Sequence, residues 1–175
     1  ASTICANFPS PASFLKAPAM SQYAIDVTDT IQINAPKELV YRELANYPGI
    51  SKWFPGYTCE FLDGAQAIAP GVQVRHTLKN AGITLSDFVR IIQKVQPGER
   101  IEETYDRGSM TGRGTWTFTE KDGVTTANYL CQVNATGWFF KIVFAIAGNA
   151  AHSGTFKKLL AGLKAHCEAL HAQGK

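Results

Sequence analysis

Three ionisable residues in the middle of the chain, His76, Asp87 and Glu103, are set among apolar residues at alternating positions. In an extended chain, this alternation places each of them on the same face of its strand as those apolar neighbours. Desolvation raises the pKa of a carboxyl group in such surroundings, and groups of this kind suit general acid–base catalysis near neutral pH. We therefore predict these three as candidate catalytic residues, with further donors from Tyr105, Tyr129 and His152.

Two other interpretations of the same residues stay open. His76 can be a core histidine whose ring nitrogens are satisfied by neighbours, or it can meet water near a strand end. The two carboxylates can pair with arginines across strands, or face solvent if the register slips by one residue. The arginines that could serve are Arg75, Arg90 and Arg113.

The strands that would carry these residues follow from a period-two pattern that begins near residue 57. Turn sequences such as Asn80-Ala81-Gly82 divide it into six strands, and connections this short predict sequential antiparallel neighbours. The strands are predicted at 57–62, 72–79, 83–95, 100–106, 110–120 and 124–134. Residues 23–34 form a further strand, and residues 37–47 and 50–54 are typical of two short helices.

Alternation within each strand predicts which side chains share its inward face, unless a bulge reverses the order. If the following sets form the concave face, His76, Asp87 and Glu103 point inward among apolar neighbours. The predicted inward sets are Val72, Val74, His76 and Leu78; Ile83, Leu85, Asp87, Val89 and Ile91; Ile101, Glu103 and Tyr105; Met110, Gly112, Gly114, Trp116 and Phe118; and Tyr129, Cys131 and Val133.

A long helix is predicted at the C-terminal end, because apolar residues recur there every three to four positions. Gly148 and Gly154 disfavour an unbroken helix. An antiparallel sheet with one solvated face needs a cover on the other, and this helix is the only predicted element long enough. Its apolar stripe is Phe156, Leu159, Leu160, Leu163, Cys167 and Leu170.

A sheet that grips one helix rarely fills its own concavity, and aromatic walls suit apolar ligands. We therefore predict a ligand-binding lining, although the same aromatic residues can also be plain core. Asn149 and His152 are expected to be polar anchors at the cavity mouth. The predicted ligand-binding residues are Leu78, Leu85, Tyr105, Trp116, Phe118, Tyr129, Phe144, Asn149, His152 and Phe156.

Composition places the chain among ordinary globular proteins. Of its 175 residues, 45% are hydrophobic and 18% charged, which disfavours disorder. The segment from Gly137 onward holds five lysines and one acid, which predicts a solvated helix face or, as an alternative, weak contact with an anionic membrane surface. Nucleic-acid binding is disfavoured, since no dense Lys/Arg cluster is interleaved with aromatic residues.

The four cysteines, Cys5, Cys59, Cys131 and Cys167, lie far apart and lack the spacing of metal ligands. We predict buried free thiols, no metal and no cofactor. No apolar run reaches the length of a membrane span. Residues 1–19 are expected to be an irregular extension before a single domain at 20–175, in a cytoplasmic protein, with secretion as an alternative.

Several segments together resemble the START-like (SRPBCC) helix-grip superfamily, which includes polyketide cyclases, lipid-transfer proteins and birch-pollen-allergen-like proteins. Tyr47-Pro48 with Trp53 also resembles its coenzyme-Q-binding branch. The resemblance implies an α+β helix-grip fold, with a curved seven-stranded antiparallel sheet, two short helices and a long C-terminal helix enclosing a cavity. It rests on residues 31–36, Val40, Leu44, Tyr47-Pro48, Trp53, Gly112, residues 114–118, Asp122-Gly123, Leu160, Leu163 and Lys164.

The resemblance implies two functions that the residues alone do not separate. The first is binding, transport or sequestration of a small hydrophobic ligand such as a lipid, an isoprenoid, a quinone or a polyketide-like molecule. The alternative is a polyketide cyclase/aromatase or dehydratase that uses the inward acid–base residues. Ligand identity and oligomeric state stay open.

Overall fold

The computed structural model describes residues 21–175, except for the side chains of residues 138–140 and 142–153. The predicted extension at residues 1–19 lies outside this part. The helices are α1 (Lys37–Ala45), a 3-10 helix (Tyr47–Lys52) and α2 (Trp138–Ala172). The strands are β1 (Ile25–Ile33), β2 (Tyr57–Phe61), β3 (Gln73–Asn80), β4 (Ile83–Gln96), β5 (Arg100–Gly108), β6 (Met110–Lys121) and β7 (Val124–Ala135).

All seven strands form one antiparallel sheet in the order β1-β7-β6-β5-β4-β3-β2. From β2 to β7 each strand pairs with the next in sequence, and the turns that follow β3 are short, as antiparallel neighbours allow. β1 joins the other edge beside β7, with Ile25 opposite Val133. The α+β helix-grip fold with a curved seven-stranded sheet is thereby confirmed.

α2 is the element that covers the sheet, and it runs through Gly148 and Gly154 as one helix. The apolar stripe of its second half is buried, with Leu163 and Cys167 fully inaccessible. Burial of such a stripe against a sheet offsets the cost of the glycines in the helix, each about 1 kcal/mol. Among the described residues, no helix combines the length and apolar character needed to cross a membrane.

The predicted inward faces of β3, β5, β6 and β7 are the faces that the structure buries, but the prediction for β4 is wrong. Phe88, Arg90 and Ile92 are buried there. Leu85, by contrast, is 49% exposed, and Asp87 pairs with Arg75 outside the core. β4 is apolar on both faces, so alternation alone does not orient it, and its pairing shifts register against both neighbouring strands.

Candidate functional site

An ion pair lies in the middle of the concave face of the sheet. Arg90 on β4 donates from Nη1 to Oε2 of Glu103 on β5 at 3.0 Å. The other carboxylate oxygen accepts a hydrogen bond from the hydroxyl of Tyr47 at 2.6 Å. Arg90 is 3% exposed and Glu103 is 1% exposed, so both charges are held inside the protein by each other.

Aromatic rings surround the guanidinium group of Arg90. Its central carbon lies 4.6 Å from the ring centroid of Tyr105, 5.1 Å from that of Phe88 and 5.6 Å from that of Tyr129. These distances are typical of cation–π interactions, and such interactions stabilise a cation that has little contact with water. Burial disfavours the charge, yet the interactions with Tyr105, Tyr129 and Glu103 keep the pKa of Arg90 well above its ordinary value.

A chain of hydroxyl groups continues from the ion pair toward β7. Arg90 Nη2 donates to the hydroxyl of Tyr105 at 2.8 Å, which lies 2.8 Å from the hydroxyl of Tyr129. Burial raises the pKa of both phenols, so they stay protonated near neutral pH. Phe156 of α2 stacks on Tyr129 with 4.4 Å between ring centroids, which closes the site on the helix side.

His76 on β3 forms the other side of the site, and it is 1% exposed. Its Nδ1 lies 2.9 Å from the hydroxyl of Tyr57 and 3.2 Å from the Sγ of Cys59. Its ring stacks on Phe88 at 5.2 Å between centroids. Burial and the nearby charge of Arg90 lower the pKa of His76 well below its ordinary value, so the imidazole is neutral at pH 7.

A small void separates these groups from α2. Its volume is about 10 Å³, which is enough for about one water molecule. Tyr47, Tyr57, His76 and Arg90 line it together with apolar residues that include Trp116 and Phe156. Two buried nitrogen atoms of this lining, Nε2 of His76 and Nε of Arg90, have no hydrogen-bond partner among the described residues.

The structure brings two of the three predicted catalytic residues together and separates the third. His76 and Glu103 both contact the cluster around Arg90, whereas Asp87 lies on the outer face with Arg75, whose Nη2 is 2.8 Å from Oδ2 of Asp87. Both carboxylates, Asp87 and Glu103, are therefore paired with an arginine on a neighbouring strand, which was one of the alternative interpretations of the sequence. This pairing does not remove Glu103 from the interior, because its partner is buried as well.

The predicted ligand-binding residues lie in different places, and only some of them are near the void. Tyr105, Trp116, Tyr129 and Phe156 meet around the guanidinium group and the void. Phe118 packs beside Trp116 and against Tyr41, and Leu78 is half-buried at the edge of the core. Leu85 is on the surface, as described above. The side chains of Phe144, Asn149 and His152 lie outside the described residues. The roles of all these residues stay predictions.

Sequence reasoning gave no site role to Tyr47 or Tyr57, and it named Arg90 only as one of three possible partners of the carboxylates. Arg90 lies one position out of the predicted inward face of β4, where the apolar pattern is ambiguous. Tyr47 lies on the 3-10 helix and reaches Glu103 across 56 positions of sequence. The Tyr47-Pro48 pair was noticed only as part of a resemblance, and Tyr57 only as the start of a strand.

Two further features of the described residues concern metal binding and the charge of the C-terminal segment. They contain no group of three or more His, Cys, Asp or Glu residues that could hold a metal ion. In the basic C-terminal segment, Lys164 Nζ donates to Oε1 of Glu168 at 2.7 Å and to the carbonyl oxygen of Gln32 at 2.7 Å. Part of the predicted positive charge is therefore balanced locally, and membrane contact stays a prediction.

Comparison with known proteins places this arrangement in a family context. The family model described as "Polyketide cyclase / dehydrase and lipid transport" matches residues 24–168. No curated protein matches the chain.

Several solved structures are similar. The protein TTHA0849 from Thermus thermophilus has 18% identity and a TM-score of 0.70, covering 83% of this chain and 98% of its own. The Zhui aromatase/cyclase from a Streptomyces species has 19% identity and a TM-score of 0.64, covering 82% and 93%. A START superfamily protein from Mycobacterium smegmatis has 15% identity and a TM-score of 0.62, covering 83% and 98%. At these identities, the likeness shows the fold alone.

Proposed function

Because this chain belongs to the polyketide cyclase / dehydrase and lipid transport family, we propose that it binds a small hydrophobic ligand between the sheet and α2, and carries or sequesters it. One observation supports this most directly. The apolar interior contains a void beside polar groups, and two of those groups have a hydrogen-bonding atom without a partner among the described residues. A purely structural core satisfies such atoms, because each unpaired one costs about 1–3 kcal/mol.

The size of the void sets a condition on this proposal. About 10 Å³ admits one oxygen-sized atom, so the body of a ligand needs more room. Among the described residues, Phe156 and Leu159 line the void from α2, and an outward movement of these two side chains from the sheet would provide room for the ligand. The ligand thus replaces the aromatic contact between Phe156 and Tyr129 with its own apolar surface.

The test combines extraction and probe binding. The purified protein is extracted with organic solvent for mass spectrometry, and it is separately titrated with the apolar fluorophore N-phenyl-1-naphthylamine. We expect a co-purified hydrophobic compound, saturable probe binding and competition between the two. Absence of both a compound and saturable binding would contradict the proposal.

A matched pair of variants locates the probe. Phe156→Trp fills space beside the void and should weaken binding, whereas Leu85→Ser removes an exposed apolar side chain and should leave it unchanged. Near-ultraviolet circular dichroism checks that each variant is folded. Loss of binding in Leu85→Ser alone would assign the probe to the protein surface and reject the interior site.

A second candidate function is cyclisation or dehydration of a polyketide-type substrate. It is favoured by the grouping of the predicted residues His76 and Glu103 with the buried cation Arg90. An aromatase/cyclase is also among the similar structures, although only the fold is shared. A poly-carbonyl chain needs polarised carbonyl groups, a proton acceptor and exclusion of water, and a buried site with these groups supplies them.

The second candidate is tested by turnover of a synthetic poly-β-ketone thioester, with cyclised or dehydrated products followed by mass spectrometry. Glu103→Gln and His76→Ala should slow turnover by about 100-fold or more if these residues take part in proton transfer. Asp87→Asn, on the outer face, should not change the rate. A wild-type protein without turnover would reject the enzymatic function while leaving ligand binding intact. Equal rates in all variants would remove Glu103 and His76 from the mechanism.

A further inference from the structure

Helical residues form one side of the void. Leu44, Tyr47 and Ile50 line it from α1 and the 3-10 helix. Phe156 and Leu159 line it from α2. The void therefore lies at the boundary between α2 and the two short helices.

Three side chains hold this boundary together. Nε2 of His166 on α2 lies 2.9 Å from Oε2 of Glu43 on α1, whose carboxylate accepts the hydrogen bond. The imidazole also stacks on the ring of Trp53, which follows the 3-10 helix, with 6.2 Å between centroids. Gly162, one turn earlier on α2, lets the backbone of Trp53 come close. Glu43, Trp53 and His166 form what we call the helix clasp.

The helix clasp is adjacent to residues that line the void. Glu43 directly precedes Leu44 on α1. On α2, His166 is seven positions after Leu159, so the two side chains lie on the same face of the helix. Separation of the clasp would therefore separate the two helical parts of the lining as well.

α2 is attached differently on the side that faces β1. Lys164 donates to the backbone carbonyl oxygen of Gln32 at 2.7 Å, and Glu168 accepts from the backbone amide of Asn34 at 2.8 Å. In the helix clasp, by contrast, both partners of the hydrogen bond are side chains, 17% and 24% exposed. Solvent can reach them, and their separation breaks one side-chain hydrogen bond and one ring contact without disturbing the sheet.

Protonation of His166 would change the strength of the helix clasp. Burial opposes the charge of Glu43, but hydrogen bonds from His166 and Arg42 hold its pKa below the ordinary value, so it is an anion near neutral pH. Burial raises the pKa of Cys167, beside His166, to about 12, so it stays neutral. Arg42 and Lys52, basic residues of the two short helices, keep their charge throughout. Among these groups, a histidine is the one that ordinarily gains a charge between pH 8 and 6, and a charged donor strengthens the bond to a carboxylate.

We propose that the hydrophobic ligand enters between α2 and the two short helices, and that the helix clasp is a pH-sensitive gate for this entrance. The inference rests on the proposed function and adds where the ligand passes and what controls its passage. A neutral His166 binds Glu43 more weakly, so the entrance opens more often at higher pH. The clasp forms again after the ligand has entered, so it changes the rates of exchange and leaves the equilibrium affinity unchanged.

Stopped-flow fluorescence with N-phenyl-1-naphthylamine tests this gate. The association and dissociation rate constants are measured at pH 6 and pH 8, where the probe is uncharged. In the wild type, we expect both constants to be about two- to fivefold higher at pH 8, the range that one partly exposed ion pair supplies. The Kd should be the same at both pH values, because the two constants change by the same factor.

Two variants remove the switch. Glu43→Gln keeps an oxygen that can accept a hydrogen bond but removes the negative charge, and His166→Phe keeps a ring against Trp53 but removes the hydrogen bond. Each should exchange the probe rapidly at both pH values, with a ratio of rates near one. Glu102→Gln makes the same change in the Arg100–Glu102 ion pair on β5 and should retain the wild-type ratio. Near-ultraviolet circular dichroism checks folding, and one folded clasp variant is enough to decide.

The outcomes separate this inference from the proposed function. Equal rates at pH 6 and 8 in the wild type, or a pH ratio that persists in the clasp variants, would overturn the gate and leave ligand binding standing. Rates that change only together with the Kd would also overturn it, because the helix clasp would then shape the binding site instead of its entrance. Failure of the probe to bind the wild type would reject both proposals.

Discussion

The hydroxyl group of Tyr129 occupies the space into which a side chain at Gly114 would project. A β-carbon placed on Gly114 of β6 would lie 2.3 Å from that oxygen and 2.9 Å from the ring carbon that bears it. Both distances are shorter than a van der Waals contact. The absence of a side chain at 114 therefore lets Tyr129 lie flat across β6 and reach Tyr105 at 2.8 Å.

Gly114→Ala should consequently displace Tyr129 and break its hydrogen bond to Tyr105. We expect the free energy of unfolding to fall by about 1–3 kcal/mol, the usual cost of overpacking a core. Urea denaturation measures it. In the double variant Gly114→Ala/Tyr129→Phe the hydroxyl is absent. Its loss in the free energy of unfolding should therefore be smaller than the sum of the losses of the two single variants. Strictly additive losses would mean that the alanine does not act through Tyr129.

The position of Tyr129 could be predicted from sequence, but its contacts could not. Strands β3, β5, β6 and β7 carry apolar residues mainly on one face, so alternation orients His76, Glu103, Trp116 and Tyr129 correctly. On β4 the apolar residues fall on both faces, and alternation favoured Leu85 and Asp87 over Phe88 and Arg90.

The centre of the site follows from long-range geometry that a single sequence does not contain. Arg90 is tolerated inside because Glu103 lies on the next strand and Tyr105 is directly opposite it. Tyr47 completes the group from a helix far away in sequence. Each residue type could be noticed in the sequence, but their convergence depends on the register of β4, which bulges shift.

Two glycines on α2 test the contact between this helix and the segment after the 3-10 helix. One of them lies at the contact, and the other lies away from it. A β-carbon on Gly162 would lie 2.7 Å from the backbone carbonyl oxygen of Trp53, whereas one on Gly154 would meet no atom of the described residues within 4 Å. Gly162→Ala should lower the free energy of unfolding, because the helix must move away from Trp53. Gly154→Ala should raise it by up to about 1 kcal/mol, the difference in helix propensity. Thermal unfolding of both variants checks the prediction, and equal shifts would contradict the close contact.

His76 should make stability depend on pH in a defined direction. Its pKa in the folded protein lies well below the ordinary value of 6.5, through burial and the charge of Arg90. Below pH 6.5 the unfolded chain therefore binds a proton that the folded protein does not, and the free energy of unfolding falls as the pH drops. The limiting slope for one such group is about 1.4 kcal/mol per pH unit.

The comparison variant is His76→Phe. Between pH 6.5 and 5, its free energy of unfolding should not show the decrease that His76 causes in the wild type. His171→Phe, at the exposed end of α2, should retain it. Urea denaturation across the pH range measures the slopes. Parallel curves for the wild type and His76→Phe would show that the histidine is not held neutral in the folded state.

Replacing one member of the Arg90–Glu103 pair should lower the free energy of unfolding far more than replacing both members. Glu103→Gln keeps an amide oxygen that can accept from Tyr47, but it leaves the charge of Arg90 buried without a counter-charge. We expect a loss of about 3–5 kcal/mol in the free energy of unfolding. Adding Arg90→Met removes that charge and places an apolar side chain among the rings of Phe88, Tyr105 and Tyr129. The double variant should therefore be more stable than Glu103→Gln alone, with a coupling of roughly 2 kcal/mol in a double-mutant cycle.

The same double variant separates stability from ligand recognition. It should fold and still bind N-phenyl-1-naphthylamine, because the apolar walls remain. A double variant that folds but no longer binds the fluorophore would show that Arg90 and Glu103 take part in ligand binding as well as in the fold. One that is less stable than Glu103→Gln would show that the aromatic rings require a cation between them.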